Sequence, residues 1–192
     1  MEMSHLKKIR FRHVIIALAV LPLLGLLVAH FLFRVAPDAS DHDKKLHIAE
    51  FYDISRIRFA GIDEISAMEL ITLKESKSNN DVVLIDVRTS EEQEVSMLPG
   101  AIKQAEFIAN QERYRDKQVV TYCTIGYRSG MFAKKLHEEN WQVANLKGSI
   151  LSWCHAGGKL VSGPVNQRLE TKRVHIYSKQ WNLLPKGYQA VW

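Results

Sequence analysis

The chain has 192 residues, of which 46% are hydrophobic and 24% charged, a balance typical of a globular domain and not of a disordered segment. Its formal net charge is +5, but residues 1–34 hold five basic side chains and one acidic one, and the rest of the chain holds 21 basic and 20 acidic side chains. The body of the protein therefore lacks the basic surface that nucleic-acid binding needs, and no nucleic-acid partner is predicted.

The cysteine and histidine content argues against a metal centre. Two cysteines are present, Cys123 and Cys154, too few for a disulfide framework or for a zinc site built from thiolates. The eight histidines show no convincing ligand spacing with one another or with a cysteine. The sequence thus predicts no metal and no cofactor.

Residues 14–33 form an apolar run of about 20 residues without an acidic side chain, a lysine or an arginine, which matches the thickness of a bilayer core. The preceding segment, residues 1–13, is basic, so the positive-inside rule keeps it in the cytoplasm. The sequence predicts a single transmembrane helix with the following domain on the exported, periplasmic or extracytoplasmic side. A cleaved signal peptide is the alternative, with small residues near Ala36 and Ala39 as a weak cleavage site.

Residues 34–61 are interpreted as a linker, polar up to Lys45, with a short amphipathic helix over 46–59. The globular domain is predicted to open at Ile62, with Ser66 capping its first helix. Residues 82–85 form a continuous apolar run, as in a parallel strand covered on both faces. Further strands are predicted near 102, at 119–122 and at 141–146, and helices at 89–94, 105–114 and 129–140.

Strands that alternate with helices at this spacing favour an α/β domain with a mainly parallel sheet flanked by helices. In such sheets chemistry gathers at the carboxyl ends of the strands, where Asp86 and Cys123 both lie. Cys123 is followed by a short loop and a helix, for which Ser129 is the predicted cap. A thiol facing a helix N-terminus can be a nucleophile of lowered pKa, but a small buried core cysteine fits the local pattern equally well.

Three segments together resemble the rhodanese (sulfurtransferase) family. They are Val83 to Arg88 with Glu92 and Leu98 to Ile102, then Tyr122 to Ser129, and finally Asn145 to Trp153. The resemblance covers about residues 62–158 and implies a rhodanese-like fold. Ser149 stands where the family often has a second glycine, and Ser96-Met97-Leu98 where it often has Gly-His-Ile.

The resemblance implies a persulfide mechanism with Cys123 as nucleophile and Arg128 as partner of the departing oxyanion, or else as a loop-shaping salt bridge. Arg128 lies five positions after the cysteine, the loop length of sulfurtransferases, whereas related phosphatases need six, so a phosphate or arsenate substrate is disfavoured. Asp86 and Arg88 are expected to support the loop from the neighbouring strand. The backbone N–H groups expected to stabilise the anionic sulfur belong to Thr124, Ile125, Gly126, Tyr127 and Ser129.

The expected function is transfer of a sulfane sulfur from a small sulfur-containing anion, such as thiosulfate, or from a persulfide donor to a thiol acceptor. One alternative is a non-catalytic rhodanese module that binds a protein partner. Another is an exported redox protein that uses Cys123 and Cys154, although Cys154 also fits a packed core position. Residues 159–192 are expected to pack on the domain, with Trp181, Tyr188 and Trp192 covering it and not binding a ligand.

Overall fold

The computed structural model of the protein describes residues 36, 38–76 and 81–192. The predicted transmembrane helix at 14–33 and its basic flank lie outside these residues. Within the described ranges, no helix combines the length and the apolar character needed to cross a bilayer. The transmembrane segment therefore stays a prediction from the sequence.

A five-stranded sheet, parallel throughout, forms the centre of the domain, in the order β1-β5-β4-β2-β3. The apolar runs predicted as strands occupy its middle, and they are buried because helices cover both faces. Asp86 pairs with Tyr122, so the carboxyl ends of β2 and β4 are level. The strands are β1 (Asp63–Ile65), β2 (Val82–Asp86), β3 (Ile102–Lys103), β4 (Gln118–Tyr122) and β5 (Val143–Leu146).

In the described part of the chain, six α-helices surround or connect these strands, and this arrangement confirms the predicted α/β class. Two of the helices run on into 3₁₀ turns, at Arg56–Phe59 and Gln111–Tyr114. Ser66 caps its helix as predicted, since its hydroxyl accepts a hydrogen bond from the Glu69 N–H. The helices are α1 (Asp41–Ser55), α2 (Ala67–Ser76), α3 (Ser90–Val95), α4 (Gln104–Ala109), α5 (Tyr127–Glu138) and α6 (Ser149–His155).

Helix α1 differs from the predicted linker with a short helix. It begins at Asp41, because Ser40 and Asp43 form a capping box that satisfies N–H groups of the first turn. Ile48 and Tyr52 are buried, and the Asn145 amide of β5 donates a hydrogen bond to the Tyr52 hydroxyl at 3.2 Å. The folded domain therefore includes α1 and starts well before Ile62.

Residues 159–192, the C-terminal extension, contain two small sheets. Strand β6 (Leu160–Ser162) pairs antiparallel with β7 (Leu169–Thr171), and β8 (Arg173–His175) pairs parallel with β9 (Gln189–Val191). Val161 joins the extension to the body through two backbone hydrogen bonds with Met97. The segment between β8 and β9 is tied to α1, because the Lys44 ammonium donates to the Leu184 carbonyl at 2.9 Å.

Candidate active site

Cys123 directly follows β4, and the loop after it turns into helix α5. That turn requires Gly126, which has φ +115° and whose added Cβ would lie 2.5 Å from the Tyr52 ring. The Gly126 N–H donates to the Cys123 Sγ at 3.1 Å. The loop thus directs the Gly126 N–H at the sulfur.

Ser129 is placed differently from the prediction. The helix begins two residues earlier, at Tyr127, so Ser129 lies inside it and is not the cap. Its hydroxyl is buried and donates instead to the Cys123 Sγ at 3.5 Å. The prediction was wrong because the left-handed backbone of Gly126, and not a side-chain cap, starts the helix.

The environment of Cys123 favours the thiolate. Burial by itself would raise the pKa of this thiol, which is 1% exposed. The Ser129 hydroxyl and N–H, the positive charge of Arg128 and the Gly126 N–H outweigh burial and leave the pKa below the usual value for cysteine. A thiol in such an environment has the properties that covalent catalysis requires of a nucleophile.

This environment predicts a distinct pH profile for alkylation. The rate constant for alkylation of Cys123 by iodoacetamide is measured by mass spectrometry as a function of pH. The pH at the midpoint of this profile should be lower than that of an ordinary thiol. Ser129→Ala should move the midpoint upward, because it removes a hydroxyl donor to the thiolate while burial persists. The matched control is Ser76→Ala, which changes an exposed serine on α2. A wild-type midpoint at or above the ordinary value would contradict the prediction.

Arg128 is held by Glu92 of α3 in a bidentate ion pair, with both oxygen–nitrogen distances at 2.7 Å. One of its nitrogens also donates to the Thr124 hydroxyl at 3.1 Å. Burial would raise the pKa of Glu92, but the hydrogen bonds from Arg128 and from the Thr89 N–H, with the positive charge of Arg128, bring it to about 2. The sequence allows two roles for Arg128, binding of the departing oxyanion or a salt bridge that shapes the loop. The observed geometry corresponds to the salt bridge.

Glu92 is a residue whose role the sequence did not assign. It accepts the Thr89 N–H at 2.9 Å in the capping box of α3, and its side chain is 2% exposed. A Thr-x-x-Glu capping box is readable from sequence, but a capping glutamate is ordinarily solvated. That this one also fixes Arg128 follows only from the tertiary packing of α3 against the loop.

Asp86 and Arg88 lie at the carboxyl end of β2, with both side chains 0% exposed. The guanidinium donates from Nε and Nη2 to the carboxylate, the latter at 2.8 Å. The Tyr122 hydroxyl also donates to Asp86, at 2.6 Å, and accepts the Leu98 N–H. The pair is thus connected by a hydrogen bond to Tyr122, the residue that precedes Cys123.

Ser149 also contacts the cysteine. The Cys123 N–H donates to its hydroxyl oxygen at 3.0 Å, and that hydroxyl lies 4.0 Å from the Cys123 Sγ. Its φ of +50° places it in the left-handed region, which explains why glycine suits this position. In this chain the serine side chain adds a polar contact that a glycine cannot make.

Cys154 lies on α6 and is buried, and both cysteines are free thiols. Burial raises the pKa of Cys154 to about 12, so its thiolate is disfavoured at neutral pH. This environment is that of a packed core cysteine and does not resemble that of Cys123.

A cavity of about 260 Å³ opens at Cys123. The loop contributes one wall, and Tyr177 and Trp181 of the C-terminal extension contribute another. The sequence predicts that Trp181 covers the domain and does not bind a ligand, and it gives no signal for Tyr177. No spacing or motif connects these aromatic residues to the cysteine, so their position follows from the tertiary fold.

A second cavity, of about 430 Å³, lies at the opposite, amino-terminal edge of the parallel strands. Its lining includes Asp63, Glu64 and Glu69 but neither cysteine. Across residues 36, 38–76 and 81–192, no group of three or more histidine, cysteine or acidic side chains is arranged to hold a metal ion. The chemistry of the described part of the chain is therefore concentrated at Cys123.

Comparison with known proteins identifies the family. The family model described as "Rhodanese-like domain" matches residues 69–156. YtwF of Bacillus subtilis, named as a candidate sulfurtransferase, is 32% identical over 94 residues, which are 47% of this chain and 91% of that protein. The chain belongs to the rhodanese-like family. A sulfurtransferase of Allochromatium vinosum is 34% identical over 43% of this rhodanese-like chain and 80% of its own length.

Longer relatives extend beyond the domain. The tRNA uridine(34) hydroxylase of Bacillus licheniformis is 25% identical over 167 residues, so the rhodanese-like chain spans about half (51%) of that protein and matches it over 71% of its own length. The crystal structure of a thiosulfate sulfurtransferase from Pseudomonas aeruginosa superposes with a TM-score of 0.51 at 21% identity, over 64% of this chain and 24% of the other. This superposition supports the rhodanese-like fold.

Proposed function

We propose that the protein is a sulfurtransferase that carries sulfane sulfur as a persulfide on Cys123. The observation that carries the proposal is the arrangement around the sulfur, which accepts hydrogen bonds from the Gly126 N–H and the Ser129 hydroxyl. These donors stabilise the Cys123 thiolate before the reaction and again when the second step restores it. Membership of a family with named sulfurtransferases supports the same chemistry.

The reaction has two steps, which share the covalent intermediate. The Cys123 thiolate attacks the outer sulfur of a donor such as thiosulfate, a new S–S bond forms, and the electron pair of the donor's S–S bond leaves with sulfite. A thiolate or cyanide then attacks the terminal sulfur of the persulfide and restores the Cys123 thiolate. Neither step needs a metal or an external oxidant, because the sulfur is transferred at the same oxidation level.

Arg128 shapes the loop in this proposal, because both of its terminal nitrogens are bound to Glu92. Its positive charge still favours an anion at the sulfur, which lies in the same pocket. Asp86 and Arg88 hold the end of β2 and the Tyr122 hydroxyl in place, and they act on the reaction through that scaffold.

The test is turnover of thiosulfate and cyanide to thiocyanate by the purified full-length chain, combined with its intact mass. We expect a mass gain of one sulfur atom that disappears in Cys123→Ser and persists in Cys154→Ser. The second variant is the matched control, since Cys154 is buried with a pKa of about 12. If the wild-type chain showed neither thiocyanate nor a sulfur adduct with any sulfane donor, the proposal would be wrong, and loss of the adduct in Cys154→Ser would favour a two-cysteine redox protein.

A second candidate reaction comes from the hydroxylase relatives, whose match extends over 71% of this chain. The two reactions are separable by their substrates. The hydroxylase-type reaction would be favoured by two results together. The chain would hydroxylate uridine 34 of tRNA in a reaction that depends on Cys123, and it would form no thiocyanate from any sulfane donor. The near-neutral charge of the chain after residue 34 argues against a tRNA surface within this domain.

We further propose that residues 14–33 anchor the protein as a single-pass membrane helix, with the domain on the exported side. The apolar length of this segment and the basic residues that precede it support the proposal. Protease added outside spheroplasts should digest the domain while an internal cytoplasmic marker stays intact. Protection of the domain under those conditions would overturn the predicted orientation.

A further inference from the structure

The pocket at Cys123 has an unusual outer wall. Tyr177 is 67% exposed, although a tyrosine ring carries much apolar surface. Its φ of +71° is in the left-handed region, which is unfavourable for a bulky side chain. Core packing does not account for a strained, exposed aromatic residue, and such strain is typical of functional sites.

The wall is held in place by contacts with the body of the domain. The Trp181 ring packs on Phe51 of α1, with ring centroids 4.8 Å apart. After it, the Leu183 carbonyl lies 2.7 Å from His155 Nε2 and the Leu184 carbonyl accepts from Lys44. Tyr177 lies near Arg128, whose guanidinium carbon is 5.9 Å from the ring centroid. Trp181 is therefore fixed against α1, and Tyr177 lies beside Arg128 on the same side of the pocket.

The pocket is apolar above the sulfur. Ile125 and Tyr127 line the loop side, opposite Tyr177 and Trp181. Its charged lining residue, Arg128, is already paired with Glu92 at 2.7 Å. A strongly hydrated dianion such as thiosulfate loses water on entering such a space and gains no unpaired cation in return. An organic group instead gains contact with the aromatic rings.

We propose that Tyr177 and Trp181 select an organic sulfane donor, with an apolar body and a single negative charge on its terminal sulfur, over inorganic thiosulfate. This inference rests on the sulfurtransfer proposed above and assigns its substrate class. The donor's terminal sulfur reaches Cys123 while its organic group lies between the two aromatic side chains. The Cys123 thiolate forms the new S–S bond, and the donor's remaining part leaves with the electron pair of the broken bond.

Two donors of equal charge test the selection. Benzenethiosulfonate and methanethiosulfonate each transfer one sulfur to the Cys123 thiolate and release the corresponding sulfinate. Their kcat/KM values are measured with the full-length chain and cyanide as acceptor, and each is divided by the donor's rate constant with a free low-molecular-weight thiol. We expect the corrected ratio to favour the benzene donor about tenfold, the scale of one to two aromatic contacts.

Two variants test whether the aromatic wall is the source of the preference for the benzene donor. Trp181→Ala removes one ring, and Tyr177→Asn removes the other while keeping a residue that tolerates the left-handed backbone. Each variant should reduce the corrected ratio several-fold, mainly because kcat/KM for benzenethiosulfonate falls. Trp192→Ala is the matched control, because this tryptophan is 56% exposed and does not line the pocket. It should leave the ratio unchanged.

The outcomes separate this inference from the proposed function. A corrected ratio near one in the wild-type chain, with a normal Cys123 persulfide, would overturn the selection and leave the sulfurtransferase in place. A preference that survives in both pocket variants would also overturn it, since the wall would not be its source. Absence of a persulfide with every donor would overturn the sulfurtransferase itself, and the selection with it.

Discussion

Replacing Asp86 with asparagine is expected to lower the free energy of unfolding by about 3–5 kcal/mol, the range found when one partner of a buried ion pair is removed. The Arg88 guanidinium would stay buried and charged, with an amide in place of the carboxylate that accepts three of its hydrogen bonds. Since a domain of this size has a total stability of about 5–15 kcal/mol, this loss is a large fraction of the whole.

Urea unfolding followed by circular dichroism measures this loss. Asp116→Asn is the control, because Asp116 is exposed. A double variant, Asp86→Asn with Arg88→Met, should be less destabilised than Asp86→Asn alone, because it contains no unpaired buried charge. A loss below about 1 kcal/mol in the single variant would show that the pair does not hold the end of β2.

Glu92→Gln is expected to have the second largest effect, and that effect should depend on pH. The pKa of Glu92 is about 2 in the folded protein, against an ordinary value of 4.5. Its ionised form therefore contributes stability that is fully present above pH 4.5 and is lost as the pH falls toward 2. The difference of about 2.5 pKa units corresponds to about 3 kcal/mol near pH 7.

The measurement is the difference in unfolding free energy between wild type and Glu92→Gln at pH 7, 5, 4 and 3. This difference should shrink on acidification, because the wild-type carboxylate loses its advantage over a neutral amide. Glu94→Gln on the same helix is the matched control, since Glu94 is exposed. A difference that stays constant over this pH range would indicate that Glu92 acts through packing and not through its charge.

The strands that carry the site were predictable for a simple reason. A parallel strand covered on both faces must be apolar over several consecutive residues, and 82–85 and 119–122 are such runs. The residues that end them, Asp86 and Cys123, were therefore placed correctly at one edge of the sheet. The strand registers, including Asp86 with Tyr122, depend on contacts between distant segments and were not predicted.

The helix boundaries and the pocket show the limits of local patterns. The amphipathic helix predicted over 46–59 covers only part of α1, and no local pattern shows that Tyr52 is fully buried against Gly126 and Asn145. Ser129 resembled a cap because serine caps helices often, whereas here a glycine of positive φ starts the helix. Tyr177 approaches the loop only because the C-terminal extension folds back across the domain.

The hydrogen bonds between the C-terminal extension and α1 also affect the order in which the site is completed. The Lys186 N–H donates to Asp41, 145 positions earlier in the chain. Contacts of such separation form late, because the chain must first close a long loop. During synthesis the loop at Cys123 precedes the aromatic wall, so we expect the wall of the pocket to be completed only when Trp181 docks on α1. Until then, oxidants should reach the thiol more easily than in the folded domain.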